Sequence, residues 1–321
     1  METRKIVIAG ANGFLGANLC RYFSKLGNEV YGLINSASNK RKLDGIIANL
    51  NIVELDKFNV NNLNSVFNNI NPDVVFNAIG ADQKDLLNDS EGNWNSNFMT
   101  LIKLVSSLRN ISLERFVHAG SSFEYGEVSS TFSSLKESLE CNPVSDYGTS
   151  KLMQTVYLKY ASKIYSLPST ILRVFNVYGP YESKKRLIPQ VILNALKDEG
   201  IVILNPNVAR DFIYIDDVMT AFYASIKNPL ENSYSVFNIG TGSSTSVIDI
   251  VKQVLSFTKS KSELCYKKGD LRPENNLPPP IADISLANQV LNWKPLYTIK
   301  NGLKSDIDWF KDNLEYYEIN L

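Results

Sequence analysis

A short apolar run at residues 5–9, Lys-Ile-Val-Ile-Ala, breaks directly into Gly10-Ala11-Asn12-Gly13-Phe14-Leu15-Gly16. Residues 17–26 then read as a helix closed by Gly27, and 30–34 as the next apolar strand. Strand, glycine turn, helix and strand within about 30 residues is the opening of a dinucleotide-binding βαβ unit. The glycines divide the work. Gly10 permits the tight turn, Gly13 lets backbone N–H groups approach a pyrophosphate, and Gly16 lets helix and strand pack closely. Asn12, Phe14 and Leu15 belong to the same turn and are expected at the nucleotide. The fold class this predicts is α/β, a doubly wound Rossmann-type parallel sheet.

The alternation continues downstream. Residues 51–54, 73–77, 115–119 and 169–174 read as further strands, and Leu101, Leu104, Val105 and Leu108 repeat at helical spacing over 93–108. Beyond Pro180 turn residues, prolines and short apolar pieces take over. The expected organisation is a dinucleotide-binding domain over 1–180 and a smaller, mainly substrate-binding lobe over 181–321. The sheet is expected to receive about 211–239 as well, with strands at 212–215 and 235–239. Gly240-Thr241-Gly242 lacks a third glycine at fingerprint spacing and reads as a turn, and polar, proline-rich 267–280 reads as a loop over the cleft.

A second stretch carries chemistry. In Tyr147-Gly148-Thr149-Ser150-Lys151, a helix would put Tyr147 and Lys151 one turn apart on one face. An ammonium there stabilises a phenolate and lowers the tyrosine's pKa toward working pH, which makes Tyr147 a usable general acid or base. Alone, this pattern also fits a solvated helix face.

Composition removes other function classes. Lys and Arg total 33 and Asp and Glu 33, so no basic tail points to nucleic acid or a membrane surface. A single histidine, His118, excludes a multi-histidine metal cluster, so no metal is expected; it sits in an apolar strand and reads as packing. Cys20, Cys141 and Cys265 are odd in number and widely spaced, and read as reduced, buried thiols of a cytoplasmic protein. No signal peptide fits the first residues, and no apolar run reaches the roughly 18–20 residues of a membrane span.

The glycine spacing Gly-x2-Gly-x2-Gly together with Tyr-x3-Lys resembles the short-chain dehydrogenase/reductase superfamily, in particular its extended branch of nucleotide-sugar epimerases, dehydratases and reductases. Further stretches carry the resemblance: Asp56-Lys57-Phe58-Asn59, Asn77-Ala78-Ile79-Gly80-Ala81, Arg173 to Pro180, Arg210 to Val218, and Asn292-Trp293-Lys294-Pro295, where Asn292 replaces the family's glycine. The resemblance implies that Asp56 and Lys57 lie at the adenine, Ala78 at the nicotinamide side, and Asn176 and Arg210 at a sugar nucleotide. Arg272, in the loop over the cleft, is expected there too. Tyr147 and Lys151 would act at the reacting carbon and the nicotinamide ribose, with Ser121 bonding the reacting oxygen. A homodimer joined by the Tyr147 helix and the helix near 93–108 is also implied, with Phe98, Ile102 and Tyr157 as apolar positions that either the interface or the subunit's own interior could claim.

The loop Gly120-Ser121-Ser122-Phe123-Glu124-Tyr125-Gly126 bears on the reaction. Dehydratases of the family carry an acidic pair where Ser122 and Phe123 stand, and a phenyl ring moves no proton. Glu124 comes one place later and is expected to be a surface carboxylate or, with a shift of the loop, a substrate contact. The loop looks most like those of 4-keto-6-deoxy-sugar nucleotide reductases. Where NAD-selective enzymes place an acid at the end of the second strand, this chain has Ile34 and Asn35, followed by Ser36, Ser38, Lys40 and Arg41. A neutral-to-basic loop can accept a 2′-phosphate, with Asn35, Ser36 and Arg41 as ligands. The expectation is therefore NADP(H), with NAD(H) as the alternative, and NADPH-dependent reduction of a nucleotide-activated 4-keto-6-deoxyhexose. A sugar-nucleotide epimerase is the alternative; a dehydratase using Glu124 and a non-catalytic NADP sensor are more distant.

Overall fold

Strands that lie buried on both faces need near-continuous apolar sequence, and the runs read as strands have it. In a computed structural model, which describes residues 3–80, 90–128, 134–227, 230, 232–267, 275 and 277–318, seven of them form one sheet. They are β1 (Lys5–Ala9), β2 (Glu29–Asn35), β3 (Asn51–Leu55), β4 (Val74–Asn77), β5 (Arg115–Ser121), β6 (Ser169–Val174) and β7 (Tyr234–Ile239). The order is β3-β2-β1-β4-β5-β6-β7, and every neighbouring pair is parallel. The order reverses between β1 and β4. A doubly wound sheet opens its ligand crevice at such a reversal, beyond the carboxyl ends of the strands.

Side chains alternate across the sheet and feed two cores. Ile6 and Ile8 of β1 join Phe23, Phe76 and Phe222 on one face. Val7 and Ala9 join Leu63, Phe67, Leu104 and Leu158 on the other. Apart from Phe76 of β4 and Phe222 of the later helix Ile215–Lys227, these partners come from helices α1 (Phe14–Lys25), α2 (Val60–Ile70), α3 (Thr100–Ser107) and α4 (Asp146–Tyr165), with Trp94–Met99 forming a wider helical turn that leads into α3.

The remaining chain supplies α5 (Leu187–Leu196), α6 (Ile215–Lys227), α7 (Val247–Thr258), α8 (Ser285–Leu291) and α9 (Ile299–Asp312), with three two-stranded pairings. The strand expected to rejoin the sheet near 212 does not. Phe212–Tyr214 pairs with Asn176–Tyr178 outside the sheet and runs directly into α6, so only β7 returns. The apolar pattern of 212–215 suits either place; tertiary pairing decided it. The Gly240-Thr241-Gly242 turn is held by buried Asp211, whose carboxylate accepts from the N–H groups of Thr241 and Gly242 and from the Thr241 hydroxyl. Asn292 takes the left-handed conformation at φ 51°, which asparagine tolerates better than most residues, and so can stand where the family has glycine. Of the cysteines only Cys20 is buried, and burial pushes its thiol up to about 12; Cys265 is exposed, contrary to expectation.

Candidate active site

The glycine loop is shaped by contacts that admit no side chain. Gly10 has φ +82°, and a Cβ there would lie 3.0 Å from the Ala78 carbonyl carbon; at Gly16 it would lie 2.1 Å from the Gly10 oxygen. The turn closes through the Gly13 N–H donating to Gly10 O at 3.0 Å. Gly13 is also the N-cap of α1 and offers no side chain to its first turn. The N–H groups of a helix start favour an anion. This close-approach turn fits a dinucleotide's pyrophosphate, and Gly13, Phe14 and Leu15 line a cavity at that point.

Two adjoining cavities run along the carboxyl ends of the strands. One is bordered by Gly10, Asn12, Gly13, Asn35, Lys57 and Ala78. The other is bordered by Gly13–Leu15, Ala78, Ser121, Phe123, Tyr147, Lys151 and Asn176. The structure thus brings the expected catalytic trio to one wall. Ser121 ends β5, while Tyr147 and Lys151 occupy the first turns of α4, which Ser145 caps by accepting from the Gly148 N–H.

Lys151 is buried, its ammonium 6.0 Å from the centre of the Tyr147 ring and donating to Ala119 O at 3.1 Å. Burial lowers its pKa to about 8, and the charge of Glu124 opposes that fall. Asn97, on the wide turn ahead of α3, donates to the Ser150 hydroxyl at 3.1 Å, and its backbone oxygen accepts from Gln154 at 2.9 Å. Behind the lysine lies buried His118. Asn77 spends its amide oxygen on the Ile79 N–H, so its nitrogen donates to His118 Nδ1, 3.1 Å away, and places the imidazole proton on Nε2. Burial, reinforced by Lys151, holds this histidine neutral.

Three sequence expectations change. Glu124 is neither at the surface nor in a cavity wall. It is fully buried, accepting from the Ser121 N–H (2.9 Å), Thr155 Oγ1 (2.8 Å) and Arg173 Nε (2.9 Å). A carboxylate satisfied in this way has no free oxygen for substrate. Arg41 lies over the Tyr316 ring at 4.7 Å and donates to Glu315 O, so the C-terminal segment holds the guanidinium expected at the cofactor. Ser36 donates to Asp56 at 2.5 Å, and the Asn35 side chain turns back to the Ala37 N–H. Lys42, the residue after Arg41, does face the groove: it lines the same cavity as Gly13–Leu15, and burial alone lowers its pKa.

On the side expected to take substrate, Phe123, Asn176 and Arg210 line one cavity with Asn205, Phe212 and Asn275, and Arg210 donates to Asn275 at 2.8 Å. Ser122, Phe123 and Arg210 line a more apolar one with Leu135 and Pro278–Pro280. Phe123 is common to the catalytic cavity and both of these. Arg272 lies outside the described residues.

The profile of the NAD dependent epimerase/dehydratase family matches residues 6–240. The chain belongs to that family. It is an enzyme of the extended short-chain dehydrogenase type. The chain is 27% identical to the UDP-glucuronate 4-epimerase of Thermodesulfobacterium geofontis, over 96% of this chain and 97% of that one. It is 24% identical to the dTDP-glucose 4,6-dehydratase of Neisseria meningitidis, over 98% and 95%. Among solved structures it is similar to the UDP-glucuronic acid 4-epimerase of Bacillus cereus in complex with UDP-glucuronic acid and NAD. That likeness has a TM-score of 0.84 at 26% identity, over 96% of this chain and 99% of that one.

Within this family member, sequence reasoning missed Lys42, Asn97 and Arg173 as parts of the site. Lys42 sat one place beyond Arg41 in a run of cations, and only the path of the loop separates them. Asn97 lies on a helix whose widened turn has no sequence signature. Arg173 opens one of the stretches that carry the resemblance, but its pairing with Glu124 spans 49 residues and leaves no local signal.

Proposed function

We propose that this enzyme reduces a nucleotide-activated 4-keto sugar at C4 without losing water, taking NADP(H) in preference to NAD(H). One observation carries the reading: the loop after β5 offers the cavity Ser121 and Phe123, while its only carboxylate, Glu124, is locked into a buried ion pair. Removal of water from C5 and C6 needs an acid and a base at that wall, and neither Ser122 nor Phe123 can supply them.

Nicotinamide, when bound, supplies the hydride. Tyr147 gives its proton to the oxygen that becomes an alkoxide, Ser121 hydrogen-bonds the same oxygen, and Lys151 holds the nicotinamide ribose while its charge eases ionisation of the phenol. Gly10, Asn12, Gly13, Phe14, Leu15 and Gly16 seat the pyrophosphate, with Asp56 and Lys57 at the adenine and Ala78 at the nicotinamide side. Asn176 and Arg210 hold the sugar nucleotide. The choice of NADP(H) rests on the neutral end of β2, where Asn35 and Ser38 border the cavity with Lys57, although Lys40 pairs with Glu54 and Arg41 with the C-terminal segment. A homodimer through α4 and a cytoplasmic location belong to the same reading; among the described residues no helix is long and apolar enough to cross a membrane.

A second reading, 4-epimerisation on the same residues with retained NAD, is favoured by the likeness to UDP-glucuronate 4-epimerases. The purified protein is incubated with NADPH and a panel of 4-keto-6-deoxy sugar nucleotides. Loss of nicotinamide absorbance with one of them is the expected result. Interconversion of a sugar nucleotide with no net loss, by protein that carries NAD through purification, would replace reduction by epimerisation.

A further inference from the structure

Glu124 takes no part in the proton transfer described above, yet it is the most fully engaged carboxylate beside the site. Its Oε1 accepts from the Ser121 backbone N–H at 2.9 Å while the Ser121 hydroxyl accepts from the Phe123 N–H at 3.2 Å, a reciprocal cap that fixes the turn from which Ser121 faces the cavity. Its Oε2 takes Arg173 of β6 and Thr155 of α4. The carboxylate therefore ties together β5, β6 and the helix that carries Tyr147 and Lys151. The fit is close: a Cβ on Gly120 would lie 2.7 Å from Oε1.

From this geometry we infer that Glu124 is a positioning residue for the reaction, holding Ser121 in register with Tyr147 and setting a buried carboxylate against the helix one turn beyond Lys151, at Thr155. The inference rests on the roles given above to Ser121, Tyr147 and Lys151.

Electrostatics fits the same arrangement. Glu124 opposes the desolvation that drives the Lys151 pKa down. The other groups facing Lys151 are Tyr147 on its own helix, His118 and the Ala119 carbonyl on β5, and Asn97 across Gly80. None of these is an anion, so among the described residues Glu124 supplies the negative charge. Arg173 in turn faces Tyr125, Cys141 and the Glu137 carbonyl, so its charge is held in place from several elements.

The test needs no substrate. The protonation of Lys151 is read by carbon-13 NMR of ε-labelled lysine across pH, its signal assigned with Lys151→Met, in the whole protein and in Glu124→Gln. Without the anion, Lys151 is expected to lose its proton at a pH lower by about half a unit or more. A double variant, Glu124→Gln with Arg173→Met, removes both members of the buried pair and guards against unfolding by a lone buried guanidinium. It is expected to move Lys151 in the same direction. Once a substrate is known, kcat of both variants should fall by about 10-fold or more with KM for the cofactor nearly unchanged. An unmoved Lys151 titration in folded variants overturns the inference, whatever the substrate proves to be. A moved titration with no reduction of any keto sugar leaves the inference standing and removes the proposed reaction instead.

Discussion

The rings of Phe123 and Tyr147 meet edge to face, their centroids 5.7 Å apart and their planes at 81°. Phe123 thereby does two things: it steadies the proposed proton donor, and it forms the wall shared by the Tyr147 cavity and both cavities proposed for substrate. Such a ring pair contributes about 0.5–1.5 kcal/mol beyond its area. Phe123→Ala is expected to cost about that much stability, measured by urea unfolding, and to lower kcat/KM by about 10-fold as Tyr147 loses its rest.

Tyr147→Phe is expected to lower kcat by about 10³-fold, within the range of general acid catalysis, while cofactor binding changes by no more than a few-fold. Lys151 adds a pH dependence. With its pKa lowered to about 8, its ammonium is intact below that pH and is lost above it. Reduction should therefore decline as pH rises past about 8, and stopped-time assays of nicotinamide consumption across pH 6–10 check the limb.

Lys42 and Arg41 are neighbours in sequence with separate fates. Lys42→Ala is expected to raise the NADP(H) dissociation constant about 10-fold, the worth of one charged hydrogen bond to a phosphate. Arg41→Ala should leave it within about two-fold and instead loosen the C-terminal segment, seen as faster amide exchange at Glu315 and Tyr316. Isothermal titration of both variants compares them directly.

Asp306 is fully buried, and neither of its carboxylate oxygens has a hydrogen-bond partner among the described residues. Burial, with Glu182 nearby, raises its pKa well above the ordinary 3.8. A raised folded-state pKa means its stabilising, protonated form is complete below that ordinary value and its contribution is lost as pH rises through the folded pKa. Asp306→Asn should therefore raise the melting temperature more at pH 8 than at pH 5, and calorimetry at the two values tests the sign.

The outer face of α4 presents Met153, Val156, Tyr160 and Ile164, exposed by 39%, 53%, 47% and 55%. They recur at helical spacing, as an interface stripe does. Phe98 and Tyr157 are instead half-buried against one another, their centroids 6.0 Å apart, so of the two places open to them the subunit's own packing takes a share. If the stripe joins two copies, Val156→Glu with Ile164→Glu should convert a dimer to a monomer in sedimentation equilibrium without changing the far-ultraviolet spectrum. A wild-type protein that sediments as a monomer removes the dimer.

Local sequence was enough for the parallel sheet, the glycine turn and the Tyr147–Lys151 face, because each rests on periodicity or on a conformation that few residues can adopt. The run Lys5 to Ala9 is apolar throughout because both faces of β1 are covered, and Gly16 is glycine because a carbonyl oxygen stands where its Cβ would be. The same local logic could not say where Phe212–Tyr214 would pair, since an apolar triplet satisfies either sheet. Nor could it place Glu124. A glutamate in a polar loop reads as solvated, and only the arrival of Arg173 and Thr155 from distant parts of the chain makes its burial affordable. Short-range chemistry thus determined the scaffold and the Tyr147–Lys151 face. Long-range packing decided which charges face the cleft and which are spent holding it together, because a buried ion is tolerated only where partners from other elements converge on it.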